Sequence, residues 1–395
     1  MTATVADVRY RWYMGPEARL ILIITACLLA FGLATVYSAS AIYAQTKNLS
    51  NGYFILRQVL GVGAGIIALA IFSKVDAEIW RKYAWPLMIF SLFLLLIIIL
   101  PWTESIAPRI RGSRRFLIGS SLQPSELGKI ALIVWTSMLI VKKGDALKRL
   151  TKGLLPFLVV VGVMDVLVAL EPDLSVAMMY TLIMGIILFA GGVRVGHFVV
   201  LGIIAIPLLW TQMQRLNYVL LRMTAFFDPK GAPTHVSDQL RQSLIAVGSG
   251  QIFGLGFGQG RQPLGFLPLA YDDFIAASIG EEWGFAGLLV IISAFAAFAF
   301  LGFRIAHKAR SPFLQLVAVG ITSTIVITAF LHIGVVVGML PTTGLTLPFI
   351  SFGRSNMVLS LMMTGILVNI GSTREKVIGS RATDPMFSMQ AMKST

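Results

Sequence analysis

The chain has 395 residues, of which 56% are hydrophobic and only 13% charged, with a formal net charge of +14. A charged fraction about half the globular norm of roughly 25%, with repeated apolar runs long enough to cross a bilayer, excludes a soluble globular class and points to an all-α polytopic membrane protein. The one cysteine, Cys27, excludes disulfides within the chain and any cysteine metal site, and the positive balance points to anionic lipid or phosphate rather than nucleic acid.

In chain order, Arg9, Arg11 and Arg19 precede the first apolar run, Leu20 to Val36. Ala39-Ser40-Ala41 has the form of a signal-peptidase site, but the run is long for a signal peptide and is read as an uncleaved first helix. Further spans are expected at 56–73, 84–100, 124–141, 153–171, 174–192, 196–212, 274–302, 313–338 and 355–371. That gives ten spans over 20–371, with a cytoplasmic N-terminus (1–19) and a cytoplasmic tail (372–395). The segments this places inside carry most of the 32 cations, as the orientation rule for membrane proteins requires. The one long loop, 213–273, falls outside. In it Leu216, Val219, Leu220, Met223 and Phe227 have the spacing of a helix lying in the membrane interface. Ser237 is placed to cap a second short helix ending near Gly248. The tail after Ser372 is polar and expected to be without order.

The stretch from Gly254 to Gly287 concentrates the chemistry. A glycine-rich loop, GLGFGQG, leads through Arg261 to Asp272 and Asp273, and then into an apolar helix carrying Glu281 and Glu282. Ionisable groups at the mouth of a membrane helix are costly and mark function by default. The loop is no dinucleotide fingerprint, because no strand precedes it and no βαβ unit surrounds it. Its glycines are read as letting backbone approach a bulky substrate. Five cations between Arg109 and Lys129 and five between Arg215 and Arg261 lie on the expected outer face, against the orientation rule, which suggests an anion site there. Glu126 and Lys129, three apart after Pro124, share a helix face and are expected to pair. Glu171-Pro172-Asp173 breaks the chain between two apolar runs, its acids within reach of the outer cations. The four histidines show no zinc-type spacing.

Taken together, VYSAS (36–40), FILRQ (54–58), GSRRF…QPSELGK (112–129), EPDLS (171–175), FFDP (226–229), QSLIAVGSG (242–250), FLPLAYDDFIAASIGEEWGFAG (266–287) and PTTGLTLPFISFGRSN (341–356) resemble the SEDS family, the bacterial FtsW and RodA proteins that polymerise peptidoglycan. The resemblance covers about Leu20 to Gly371 and implies ten transmembrane helices with a large extracytoplasmic loop between the seventh and eighth. It also implies a glycosyltransferase acting on lipid II in the bacterial cytoplasmic membrane, paired with a class B penicillin-binding protein. The wording at 341–356 is similar to the division branch, FtsW, which implies a septal site and other division-complex proteins as partners. The family's phrase LPEAHTDFIF puts its catalytic aspartate at Asp273. Here Leu269, Tyr271 and Asp272 replace the glutamate, histidine and threonine of that phrase. Phe116 stands where tryptophan is usual and Arg354 where glycine is common.

On that basis Asp273 is expected to be the general base for an acceptor hydroxyl. Arg57, Arg114, Arg115, Lys129, Arg241 and Arg261 are the candidates to hold the leaving pyrophosphate, with Glu126, Asp173 and Glu281 in the same substrate site. No ligand spacing marks a metal, although a divalent cation (Mg or Mn) is compatible with pyrophosphate chemistry. The partner's transmembrane helix is expected on the eighth and ninth spans, where Gly284, Gly287, Ser293, Ala294 and Ala297 allow close approach. The alternatives are a RodA-type elongation polymerase and a lipid II flippase. A transporter, however, places its charges near the midplane, among paired repeats and broken helices. No repeat is visible here and the charges cluster at the outer face.

Overall fold

The computed structural model describes residues 8–378 except 51, 105–106, 109–112, 118–121, 150–152, 201, 204–216, 229–232, 261–266 and 268–269. Eleven helices are delimited among the described residues: α1 (Pro16–Thr46), α2 (Tyr53–Lys74), α3 (Ile79–Ile99), α4 (Pro124–Lys143), α5 (Leu155–Leu170), α6 (Leu174–Ala190), α7 (Asn217–Phe227), α8 (Thr234–Ser249), α9 (Ile275–His307), α10 (Pro312–Val336) and α11 (Arg354–Ile370). Of these α1, α2, α3, α9 and α10 are long and apolar enough to cross a membrane, and α5 and α6 are shorter apolar helices. The chain is helical again at 195–200, but most of the seventh expected span lies outside the described residues.

Helix starts follow local chemistry. Pro16, Pro124 and Pro312 occupy the first turn of α1, α4 and α10, where the missing N–H costs nothing. Ser311 caps α10 by accepting from Leu314 N, and Asp173 caps α6 by accepting from Val176 N. The centre of the bundle is α10, whose most apolar window is 78% buried against 28% for α2 and α3, and it packs on α4, α6 and α9. Around it, α2 lies along α11 and α3 along α4. Leu60 and Ile67 on α2, Phe90 and Phe93 on α3, and Val290 and Phe300 on α9 are exposed, as lipid-facing residues should be. At the C-terminal end of α9, Glu17 pairs with Lys308 at 2.6 Å and Arg304 at 3.3 Å, and Asp76 pairs with Arg310 at 2.6 Å. These pairs tie α1 and the α2–α3 turn to α9 and α10.

Four expectations need correcting. The tail does not lack order throughout: β2 (Ser372–Ile378) pairs antiparallel with β1 (Val8–Met14), Val8 opposite Ile378, which brings the two terminal segments together. Ser237 is not a cap, because α8 begins three residues earlier, after Pro233. The Ser237 hydroxyl instead donates back to Pro233 O at 3.4 Å. The expected eighth span is not one helix, for α9 breaks at Gly284 (φ 67°, ψ −163°).

The fourth correction explains the glycine-rich loop. A break in a buried helix strands backbone groups that must find partners. Here Gln251–Gly256 supplies them: Leu255 N and Gly256 N donate to Glu281 O and Glu282 O at 2.9 and 3.0 Å. Phe285 N and Ala286 N donate to Gln251 O and Ile252 O at 2.8 and 2.9 Å. A Cβ on Gly254 would stand 2.2 Å from Glu282 O. In this structure the glycines let backbone approach backbone, and that contact is the broken helix α9 itself.

Candidate functional site

The N-terminal end of α9 is held from below by the loop 341–353. Phe352 N donates to Tyr271 O at 3.1 Å, and the Ser351 hydroxyl donates to Asp272 O at 2.8 Å while accepting from Leu347 N at 2.8 Å. Gln58 on α2 clamps the same loop, its amide N–H donating to Ser351 O at 3.0 Å and its oxygen accepting from Gly353 N at 3.2 Å. Tyr271 packs among Tyr43, Phe54 and Phe352, with ring centroids 5.3, 4.7 and 5.7 Å away. These contacts fix the two residues on the N-terminal side of Asp273. The Asp273 side chain itself is half-buried, and its Oδ2 lies 3.8 Å from where a Cβ would stand on Gly344. Gly344 has φ +78°, which favours glycine at that turn. The cap position of α9 is held by Phe274, two residues after Asp272, without a side-chain bond of its own.

The far side of the loop reaches a second polar cluster. The Ser175 hydroxyl, in the first turn of α6, donates to Thr343 O at 2.5 Å. Arg222 on α7 donates to Thr342 O and Thr343 O at 3.2 and 3.3 Å. Two residues before Ser175, Asp173 pairs with Arg115 at 3.3 Å. Arg115 also donates to Glu171 O at 3.2 Å and to Pro172 O. Burial pushes the Asp173 carboxyl up, and the Arg115 guanidinium opposes that shift. Lys129 and Glu126 form the expected pair at 2.6 Å, 3% and 6% exposed. Tyr180 on α6 ties that helix start in place by donating to Ser125 O at 2.7 Å.

The remaining predicted residues are placed differently. Arg57 sits beside Gln58, its guanidinium 4.1 Å from the centroid of the Tyr53 ring. Arg114 donates to Ala107 O at 3.2 Å and Thr103 Oγ1 at 3.1 Å, so it serves the turn after α3. Arg241 is exposed on α8, a helix pinned to α10 by Ser243, which donates to Val336 O at 2.9 Å. Glu281 is 1% exposed at the break in α9, its Oε2 3.1 Å from where a Cβ on Gly260 would stand. Ser38 of α1 donates to the neighbouring Glu282. Arg261 lies outside the described residues. Sequence reasoning missed His332, Gln58 and Ser351 as parts of this site, and counted Arg222 among the outer cations without its bonds to the loop 341–353. A titratable side chain on a membrane helix that carries no Asp, Glu, Lys or Arg was the available signal for His332.

The arrangement places the Asp273 carboxylate in the turn before a helix start, and residues 342–345 link that turn to a largely buried cluster of cations and acids. It suits removal of a proton from a hydroxyl beside a group that gains negative charge. Among the described residues, no three His, Cys, Asp or Glu side chains come together to hold a metal.

Comparison with known proteins agrees with this picture. The FtsW/RodA/SpoVE family, described as cell cycle proteins, matches residues 18–376. The chain is similar to a probable peptidoglycan glycosyltransferase FtsW of Geobacter sulfurreducens, 38% identical over 358 residues that cover 90% of this chain and 95% of the other. It is also similar to the stage V sporulation protein E of Bacillus subtilis, 37% identical over 353 residues covering 89% and 96%. Among solved structures it is similar to a chain of a peptidoglycan synthase complex that coordinates polymerization and crosslinking, with a TM-score of 0.74 at 22% identity over 89% of this chain and 96% of that one. It is similar too to the rod shape determining protein RodA of Thermus thermophilus, with a TM-score of 0.64 at 21% identity, covering 89% and 95%. At those identities the two structures speak for the fold alone.

Proposed function

This chain belongs to the FtsW/RodA/SpoVE family of cell cycle proteins, and from that premise we infer that it is a peptidoglycan glycosyltransferase of bacterial cell division. Its substrate is lipid II, a disaccharide-pentapeptide on an undecaprenyl pyrophosphate. The observation that carries the reading is Asp273, half-buried at the start of α9 and held over the loop 341–353.

The acceptor's 4-hydroxyl gives its proton to Asp273 and attacks the anomeric carbon of the donor as the bond to pyrophosphate breaks. The configuration inverts from α to β, and undecaprenyl pyrophosphate leaves. Negative charge grows on the leaving group, so cations already fixed in place lower the barrier without reorganising. Arg115 and Lys129 are held by acids in the cluster beside Ser175, and Arg57 sits on the helix that clamps the loop. Arg241, exposed on α8, is a further candidate to meet that charge. Lipid tails stay in the bilayer against the exposed apolar faces. Both termini are cytoplasmic, the mouth near Asp273 faces outward and the protein works at the septum. Purified protein given labelled lipid II, with and without its cognate transpeptidase, should make glycan chains, and failure in both arms removes the assignment.

The Glu126–Lys129 pair carries its own expectation. Both groups are buried, so removing either one leaves the other charge without compensation. Alanine at Glu126 or at Lys129 should each lower glycan synthesis several-fold, and the charge-swapped double should recover part of it. Two single variants with wild-type rates would make the pair ornamental.

The partner is a class B penicillin-binding protein, whose transmembrane helix we place on α9 and α10. Gly284 and Gly287 are not available to it: the first is buried in the break and the second lies under Trp283. Ser293 and Ala297 are exposed, one turn apart, with Ala294 half-buried beside them. Close helix approach in lipid depends on such small residues. Ala297→Leu should therefore lower co-purification of the pair while leaving thermal unfolding unchanged. Unaltered co-purification would move the interface elsewhere.

A further inference from the structure

His332 stands on α10, 1% exposed, between the two segments that frame Asp273. Its Nδ1 is 2.7 Å from Leu345 O, and its Nε2 is 3.4 Å from Ala276 N. A carbonyl can only accept and an amide N–H can only donate. The two contacts therefore select one form of the ring, a neutral imidazole with its proton on Nδ1 and a bare Nε2.

The second contact has a structural reason. The first N–H groups of a helix have no partner within it, and Phe274 at the cap position of α9 has no side chain that could accept from them. The imidazole reaches across from α10 and accepts from Ala276 N in place of a cap. Through Nδ1 it holds Leu345, the neighbour of Gly344, the residue that lies beside Asp273 Oδ2.

We propose that His332 is a positioning residue for Asp273, a cap in trans that sets the spacing between the start of α9 and the Gly344–Leu345 turn. The proposal rests on the reading of Asp273 as the base. It assigns His332 no contact with substrate. The ring acts by holding the carboxylate and its floor in register, and small misplacement of a reacting group is expensive in rate. A histidine that only fills the core would affect folding and leave the chemical step alone.

The test compares His332→Leu, His332→Asn and His332→Gln with wild type in lipid II polymerisation, each also combined with Asp273→Asn and checked by thermal unfolding. Leucine removes both bonds, and kcat should fall about tenfold or more while KM moves less than about twofold. Asparagine can place an N–H near the Nδ1 position and glutamine reaches toward the Nε2 position. Because the bond to Leu345 is the shorter, asparagine should keep more activity than glutamine. In the Asp273→Asn background the leucine change should add little to the loss, since the residue it positions is no longer a base. Nitrogen NMR of histidine-labelled protein, with the signal assigned through His332→Asn, should show the Nδ1–H tautomer.

Wild-type kcat in His332→Leu overturns the proposal, and so does a loss that is undiminished when Asp273 is already asparagine. If the leucine variant does not fold, the asparagine–glutamine comparison decides, and equal or reversed rates overturn it. A cationic ring or the opposite tautomer removes its geometric basis. Wild-type protein that makes no glycan removes the base reading first and this inference with it, a result recognisable before any His332 variant is compared.

Discussion

Asparagine at Asp273 is expected to lower glycan synthesis by about 10²-fold or more while lipid II still binds. The carboxylate oxygens accept a proton and the isosteric amide does not, so the loss should fall on kcat and leave KM nearly unchanged. The comparison that gives the result meaning is Asp272→Asn. Both acids lie in the turn before α9, and it is the Asp273 carboxylate whose Oδ2 stands at the Gly344 turn. The main-chain carbonyl of Asp272 accepts from Ser351, and asparagine keeps that carbonyl. Asp272→Asn should therefore retain synthesis within a few-fold of wild type. The two variants belong in one polymerisation assay, with expression and partner binding measured in parallel. An inactive Asp272→Asn beside an active Asp273→Asn would mean that this chain has moved its base by one residue.

The helical, largely apolar character of the chain and the proline start of α4 were legible because each is a local property of the sequence. The same is true of the Glu126–Lys129 pair, which needs only an i, i+3 spacing on one helix. The features that escaped are those in which a side chain reaches a distant main-chain group. Arg222 holds Thr342 O and Thr343 O, Gln58 holds Ser351 O and His332 holds Leu345 O. A carbonyl oxygen carries no residue identity, so no spacing or composition announces its partner. The β1–β2 pairing escaped for a related reason, since Val8 and Ile378 lie at opposite ends of the sequence and no local pattern links them. Ser237 misled because a serine before an apolar run serves equally well as a cap or as an internal residue bonding back to the preceding turn.

The break in α9 was the largest structural feature hidden from sequence, and it yields the second large expected effect. IAASIGEEWGFAGLLV is apolar enough on both sides of Gly284 to read as one helix, and the groups that repair the break lie some thirty residues upstream in Gln251–Gly256. Gly284→Ala should destabilise the protein by about 4 kcal/mol, from two sources that act together. The backbone at φ 67°, ψ −163° is a conformation that side chains with a Cβ rarely adopt. The added methyl would also stand 2.4 Å from Gly254 N and 2.6 Å from Ile252 O, main-chain atoms that cannot move without losing the bonds that repair the helix. Gly258→Ala in the same loop separates the two contributions. It too has a positive φ, +73°, but a Cβ there meets nothing within 4 Å, so only the backbone cost of about 1 kcal/mol remains. Thermal unfolding of the detergent-solubilised proteins should therefore rank wild type first, Gly258→Ala slightly below it and Gly284→Ala far below both. Asp273 lies in the turn that leads into the short piece of α9 before the break, so glycan synthesis should fall with Gly284→Ala even at temperatures where the variant remains folded. If Gly284→Ala unfolds alongside Gly258→Ala, the chain runs through residue 284 as ordinary helix, and the docking of Gln251–Gly256 does not hold the start of α9.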